Sequence, residues 1–361
     1  MANNWENSNQ VLQAICPTNA LKLDDMNQPS VMVFIPAFRL CDVLSTSDTS
    51  IHPAFRRNGV QKDGFWFGKF ESKMYNGRAY SRPNEDPTVS MNQDQFVAQT
   101  KSKGEGWHEA TNAEWAAIAL WCHKNGCEPK GNNNYGRDTS ETTYKARPTY
   151  KDDQGRTCHV ATGTGPVTWS HDGTLAGIWD MKGNVWEWVT GLRLVYGEIQ
   201  IIADNDAADN SCDLSASSTA WKAIRASDGA LVTPDGSGTT AGTVKMDWIS
   251  NKCVYSTTIT TKADTGRYCP FKDVTCDSTI GAAAKLLLQA LAMLPDTALT
   301  GEGIDATYGG SGFWFNNGAA ERCPYRGAFW NLSDASVFNV YLYNPRSNSY
   351  SGLGGRSAYQ E

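Results

Sequence analysis

A chain of 361 residues with 32 Lys and Arg against 38 Asp and Glu carries a formal net charge of −6. That sign excludes nucleic acid as the main partner, because phosphate binding needs a basic surface. Charged residues make up 19% and hydrophobic ones 40%, with 33 Gly and 13 Trp, a balance that excludes a disordered chain, while the lack of any bilayer-length apolar run argues against membrane insertion.

The first stretch, MANNWENSNQVLQAICPTNA, has neither a basic n-region nor an apolar h-region, so no Sec leader is expected. Residues 1–28 read as a short N-terminal arm and 29–361 as one domain. VMVFIPAFRL (31–40) and GFWFGKFESKMY (64–75) are rich in β-branched and aromatic residues and predict strands. HEATNAEWAAIALWCHKNG (108–126) predicts a helix. Thr111 is its N-cap, Glu114 closes a capping box and Gly126 marks the exit. Trp115, Ala116, Ile118, Ala119, Trp121 and Cys122 recur at helical spacing. KGNNNYGRDTSETTYKARP (130–148) is polar and turn-rich, a surface loop.

GIWDMKGNVWEWVTGLRLVYGEIQII (177–202) predicts a turn, a Trp-rich strand and a hairpin through Tyr196-Gly197. Trp186 and Trp188 read as core rather than as a sugar platform. From 203 to 310 the composition shifts to Ser, Thr, Asp, Gly and Ala, which marks an insertion; TIGAAAKLLLQALAML within it predicts a helix ended by Pro295. Core-type patterning resumes at SGFWFNNGAAERCPYRGAFW (311–330). The ten cysteines follow no repeating spacing and are expected as free, packed thiols, with Cys269 and Cys276 close enough in sequence to pair under oxidising conditions. The five histidines show no ligand spacing. Asn184 and Glu187 read as a turn residue and a salt-bridged carboxylate, or alternatively as supports for a structural calcium. Asp204, Asp206 and Asp209 lack the glycine and closing Glu of a calcium loop. No other cofactor or metal is indicated.

The last segment, VFNVYLYNPRSNSYSGLGGRSA (337–358), alternates Phe338, Val340 and Leu342 with Asn339, Tyr341 and Tyr343. A strand of period two would bury the first set and turn the second to solvent. Exposed Tyr among Ser, Gly and Asn is the chemistry of antibody loops, where a rigid amphipathic ring supplies contact and small polar residues adapt around it.

Taken in order, MVFIPAF, WFGKFE, ATNAEWAAIA, GIWDMKGNVWEW, RGAFW and LGGRSA, over about 30–358, resemble the formylglycine-generating-enzyme type of C-type lectin fold, an α+β architecture. Oxidases of that group need paired cysteines soon after the RGAFW-like motif. Here no cysteine follows Trp330 and Cys323 stands alone before the motif, so no enzyme activity is expected. The terminal segment is similar instead to the variable region of proteins diversified by retroelements. In those systems adenine-directed errors turn AAC codons into Tyr, Ser, Asp, Gly, Ala, Leu or Phe, but not Trp, Lys, Glu, Gln or Met. None of those five unreachable types occurs between 331 and 355.

The resemblance implies a variable region at about 326–358, with ligand-facing positions at Phe329, Leu332, Asp334, Ser336, Asn339, Tyr341, Tyr343, Asn344, Tyr350 and Gly352. Tyr341, Tyr343 and Tyr350 would carry most contact energy, with Trp330 and Arg346 as frame. It also implies a protein or glycan receptor on a target cell and, by analogy with phage variable proteins, a homotrimer. The expected setting is phage or prophage receptor recognition at a virion tail, the chain being made in the cytoplasm. A variable protein displayed on a bacterial surface, a formylglycine-generating-like oxidase and a lectin of fixed specificity are the alternatives.

Overall fold

The structure is a computed structural model describing residues 4–142 and 145–361. Its helices are α1 (Trp5–Ile15), α2 (Leu40–Val43), α3 (Gln93–Lys101), α4 (Asn112–Lys124) and α5 (Ala282–Ala290), and short strands in several sheets make up most of the remaining regular structure. The class is α+β, dominated by mixed sheet.

α4 forms where capping chemistry places it. Thr111 Oγ1 accepts from the Glu114 N–H at 3.1 Å, and the Glu114 carboxylate accepts from the Thr111 N–H at 3.0 Å. The predicted apolar stripe is only part of its contact, since Ala113, Ala117 and Leu120, outside that stripe, are buried as well. Small residues on every side let sheets and α5 close around it, so α4 is the central element rather than a surface helix.

One five-stranded sheet runs in the order Asn19–Leu23, Pro29–Pro36, Gly64–Gly68, Ser357–Tyr359, Trp107–Glu109. Asn19 to Leu23 pair residue by residue with Val33 to Pro29. The expected 1–28 arm is therefore divided: its later part is a sheet strand, and α1, none of whose residues is buried, is the part that stands off the core.

The 203–310 segment, read as an insertion into the fold, shares a sheet with the strands that precede it. Trp221–Ile224, Lys245–Ile249, Lys252–Ser256 and Thr275–Cys276 join Leu192–Val195 and Glu198–Ile202 in a second sheet. Met246, Cys253, Tyr255, Phe271, Leu288 and Met293 share one core with α4. Polar turns dominate the composition of this segment, yet Met246, Tyr255, Phe271, Leu288 and Met293 point inward, while Ile249 and Tyr268 stay exposed.

A third, six-stranded sheet carries the site. Its order is Arg267–Pro270, Gly312–Phe315, Val340–Leu342, Tyr325–Arg326, Trp186–Trp188, Leu353–Gly355. Two buried arginines tie it down. Arg326 donates to Asn112 Oδ1 on α4 and to the Leu291 and Ala292 carbonyls beyond α5. Arg356 grips Glu187 with two bonds of 2.7 and 2.9 Å and also reaches the Gly68 and Trp179 carbonyls. Asn184, at φ +62°, donates to Glu71 and accepts from the Val160 N–H. Both groups considered for calcium are thus engaged by protein partners.

Candidate functional site

The register of the third sheet aligns five aromatic residues in one row. Tyr268 faces Trp314, Trp314 faces Tyr341, Tyr341 faces Tyr325, and Tyr325 faces Trp188. Residues opposite one another in register share a face of the sheet. The next row, Cys269, Phe313, Val340, Arg326 and Glu187, occupies the other face. That second face enters the main core with Phe315 and Leu342. The first forms a separate aromatic cluster with Trp186, Leu353, Phe329, Leu332 and Tyr350.

Exposure falls along the row. Tyr268 is 42% exposed, Trp314 and Tyr341 are half-buried, and Tyr325 and Trp188 are fully buried. Ring centroids lie 5.0 Å apart for Tyr268–Trp314, 5.8 Å for Trp314–Tyr341, 4.7 Å for Tyr341–Tyr325 and 4.9 Å for Tyr325–Trp188. Trp186 sits beneath, within 6.3 Å of Trp314, Tyr325, Tyr341 and Phe329. Tyr341 has a nearly parallel ring on each side, Tyr325 at 12° and Trp314 at 30°. Both of its faces are turned to neighbours, so its edge and hydroxyl are what solvent meets.

Burial raises the Tyr341, Tyr325 and Tyr350 hydroxyls above the ordinary tyrosine value. All three stay protonated at physiological pH, as tyrosines at or above the ordinary value do. Tyr325 is held by Asn344, whose amide donates to its hydroxyl. Tyr268, raised mainly by burial and then by the Asp334 carboxylate, has that charge as its neighbour at the open end.

The structure gathers Phe329, Leu332, Tyr341 and Tyr350 on this one cluster. Tyr343 lies beside Tyr341 at 6.0 Å, and Asp334 is exposed near Tyr268. Asn344 is half-buried through its bond to Tyr325. Three expected positions are corrected. Ser336, Asn339 and Gly352 are buried. The strand begins only at Val340, so the alternation does not extend back to Asn339. There the chain passes through the core: Val337, Phe338 and Asn339 are all fully buried, and Trp115 donates to the Val337 carbonyl at 2.8 Å. Asn339 Oδ1 accepts from the Gly312 N–H at 3.1 Å. Ser336 donates to Glu128 at 3.2 Å. A Cβ at Gly352 would meet the Tyr350 ring at 2.8 Å and those of Phe329 and Trp330 at 3.1 Å.

Trp330 and Arg346 lie where frame residues belong. Trp330 is wedged between Phe329 and His159, with centroids 5.0 and 5.1 Å away. Arg346 binds Glu321 with bonds of 2.7 and 3.0 Å, and Asp94 at 2.7 Å. Trp186 and Trp188 are buried, as core residues. Sequence reasoning missed Tyr268 and Trp314. GFWF, with Phe313 and Phe315 flanking Trp314, carries the same period-two signal that marked the terminal strand. Tyr268 sits in the polar 203–310 stretch and gives no comparable signal.

No family model matches the chain, and no curated protein sequence matches it. Among solved structures, the chain is similar to Treponema denticola variable protein 1, at 12% identity and a TM-score of 0.35 over 96% of this chain and 100% of that one. It is also similar to PvdO from Pseudomonas aeruginosa, at 12% identity and a TM-score of 0.35 over 92% of this chain and 95% of that one. A further likeness is to the Major Tropism Determinant P3c variant, at 9% identity and a TM-score of 0.29, covering 91% of this chain and 62% of that one.

Proposed function

We propose that this protein is a retroelement-diversified binding protein that presents the aromatic sheet face to a macromolecular ligand, on a C-type-lectin-like frame of the formylglycine-generating-enzyme type. One observation carries the reading: the row from Tyr268 to Trp188 has its reverse face in the core and its near end in solvent. Around it stand Phe329, Leu332, Tyr343 and Tyr350 of the terminal segment, and none of the five types unreachable from AAC occurs between 331 and 355. Large amphipathic rings with few rotatable bonds supply contact at low entropic cost, and such residues dominate binding energy at interfaces.

The partner we favour is a protein surface. A pyranose stacks on an open ring face, whereas the rings here spend their faces on one another. Edges, hydroxyls and the Asp334 carboxylate remain, and these suit peptide carbonyls, amides and side chains. Binding without catalysis is supported by Cys323: burial pushes its thiol well above the ordinary range, far from a reactive thiolate. The setting proposed is receptor recognition at a phage or prophage tail, in a homotrimer whose linked sites gain avidity.

The test is binding to target cells by the intact protein. Tyr268→Ala, Phe329→Ala and Tyr343→Ala are each expected to weaken binding about tenfold or more, with circular dichroism unchanged. Val60→Ala, an exposed residue outside the cluster, should leave it intact. Protease treatment of the cells should abolish binding and glycosidase treatment should not. Wild-type affinity in all three aromatic variants would reject the face. Loss of binding on glycosidase treatment alone would replace the protein partner by a glycan. A reverse transcriptase gene nearby, with an adenine-differing copy of the 326–358 coding segment, is the genomic counterpart.

A further inference from the structure

At the far end of α4 lies a pair of thiols that the binding face does not use. Cys122 is in the last turn and is fully buried, while Cys127 is half-buried beside the exposed residues Lys124 to Gly126. Gly126, at φ +62°, turns the chain back on the helix, and a Cβ there would meet the Gly303 carbonyl at 2.8 Å. The turn brings the Cys127 N–H to the Cys122 carbonyl at 3.0 Å, with Cys127 Sγ 3.6 Å from the same oxygen. Cys122 Sγ donates to the His171 carbonyl at 3.2 Å, and the two thiols interact electrostatically.

We propose that Cys122 and Cys127 are a reversible dithiol site, closing to an intramolecular disulfide by exchange with small disulfides such as oxidised glutathione. Cys127 is the attacking thiol. Its thiolate displaces one glutathione thiolate and forms a mixed disulfide. Cys122 then gives up its proton and attacks the Cys127 sulfur, expelling the second glutathione. Two protein thiols are oxidised, one glutathione disulfide is reduced to two thiols, and both protons pass to solvent or to the leaving thiolates.

The two sulfurs are unequal in the way this order requires. The neighbouring Cys122 thiol holds the Cys127 thiol below its ordinary value, outweighing burial and the carboxylates of Asp172 and Glu128. Burial pushes Cys122 well up. Cys269 and Cys276, the pair suggested by sequence, are placed differently. They lie on strands of different sheets, and burial raises both, Cys276 to about 11. The pair also has a structural reach. Glu128, the next residue, accepts from Ser336 at the foot of the loop that carries Leu332 and Asp334.

Incubating the full chain with oxidised glutathione, quenching with iodoacetamide and digesting with trypsin reads the pair directly. Cleavage follows Lys124, so the disulfide would link peptides 104–124 and 125–130, in a species that dithiothreitol releases. Cys122→Ser and the more conservative Cys122→Ala should stop at a glutathione adduct on Cys127. Cys127→Ser should leave Cys122 unmodified, with overall reaction slowed about tenfold or more. Absence of the linked peptides from folded wild-type protein at equilibrium, or a Cys127→Ser variant that reacts as fast as wild type, would overturn the proposal.

Discussion

Asp180 shows how a single residue can strain its surroundings. It is fully buried, one carboxylate oxygen accepts from the Gly163 N–H at 2.8 Å, and the other has no hydrogen-bond partner among the described residues. Glu71 and Glu187 are buried beside it with Arg356 as the shared cation, and burial raises Asp180 to about 6. Between the unfolded value near 3.8 and 6 the folded protein holds more protons than the unfolded chain. Stability therefore falls as pH rises through that window. Asp180→Asn, tolerated at the residue's φ of +62°, is expected to flatten the decline and stabilise the protein at neutral pH, as read by urea unfolding at pH 4, 5 and 7. Arg356→Ala should do the reverse, costing about 3–5 kcal/mol because it leaves Glu187 buried and unpaired. The corrected surface map is tested at the same scale. Gly352→Ala is expected to cost about 1–3 kcal/mol through overpacking, and Asn339→Ala a similar amount by orphaning the Gly312 N–H. Asp334→Ala should stay within about 0.5 kcal/mol.

Among the elements, the Val340–Leu342 strand has its alternation where sequence places it, with Val340 and Leu342 fully buried and Tyr341 half-exposed. Tyr341 is nevertheless not energetically silent. It touches Trp186, Trp314, Tyr325 and Tyr343, and aromatic pairs are worth about 0.5–1.5 kcal/mol each beyond their burial. Tyr341→Ser should therefore lower stability by about 2–4 kcal/mol in denaturant melts, against almost nothing at Asp334. α4 was legible for a local reason: a capping box spans four residues and needs no partner. The aromatic row was half legible. Its members come from positions 188, 268, 314, 325 and 341, and cross-strand register is a property of pairing that no single stretch encodes. Asn339 was misassigned because a period of two was extended past the end of a three-residue strand, whereas Ser336 and Gly352 were carried over from the resemblance and lie outside that alternation.

For the whole molecule, composition marks 203–310 as an insertion but does not say how deeply it enters the core. Averaged over the segment, Ser, Thr and Gly suggest an excursion; residue by residue, Tyr255, Phe271 and Leu288 are central to the core, and the Tyr255 hydroxyl donates to the Met293 carbonyl at 2.9 Å. A chain in which a short linker replaces 203–310 is expected to lack a cooperative unfolding transition. The N-terminal region gives the opposite contrast. Removing residues 1–15 deletes α1 and the Asn9 bond to the Leu21 N–H, a loss of about 1 kcal/mol. Removing 1–28 strips an entire paired strand and should cost more than about 3 kcal/mol.

The strand Ser357–Tyr359 is zipped between Gly64–Gly68 and Trp107–Glu109, downstream of every position proposed to vary. A copying error that shifts the reading frame anywhere in 329–350 would also rewrite this strand and the Arg356 anchor before it. Garbled products would then be discarded by misfolding, so a molecule that reaches its target has an intact frame whatever side chains it displays.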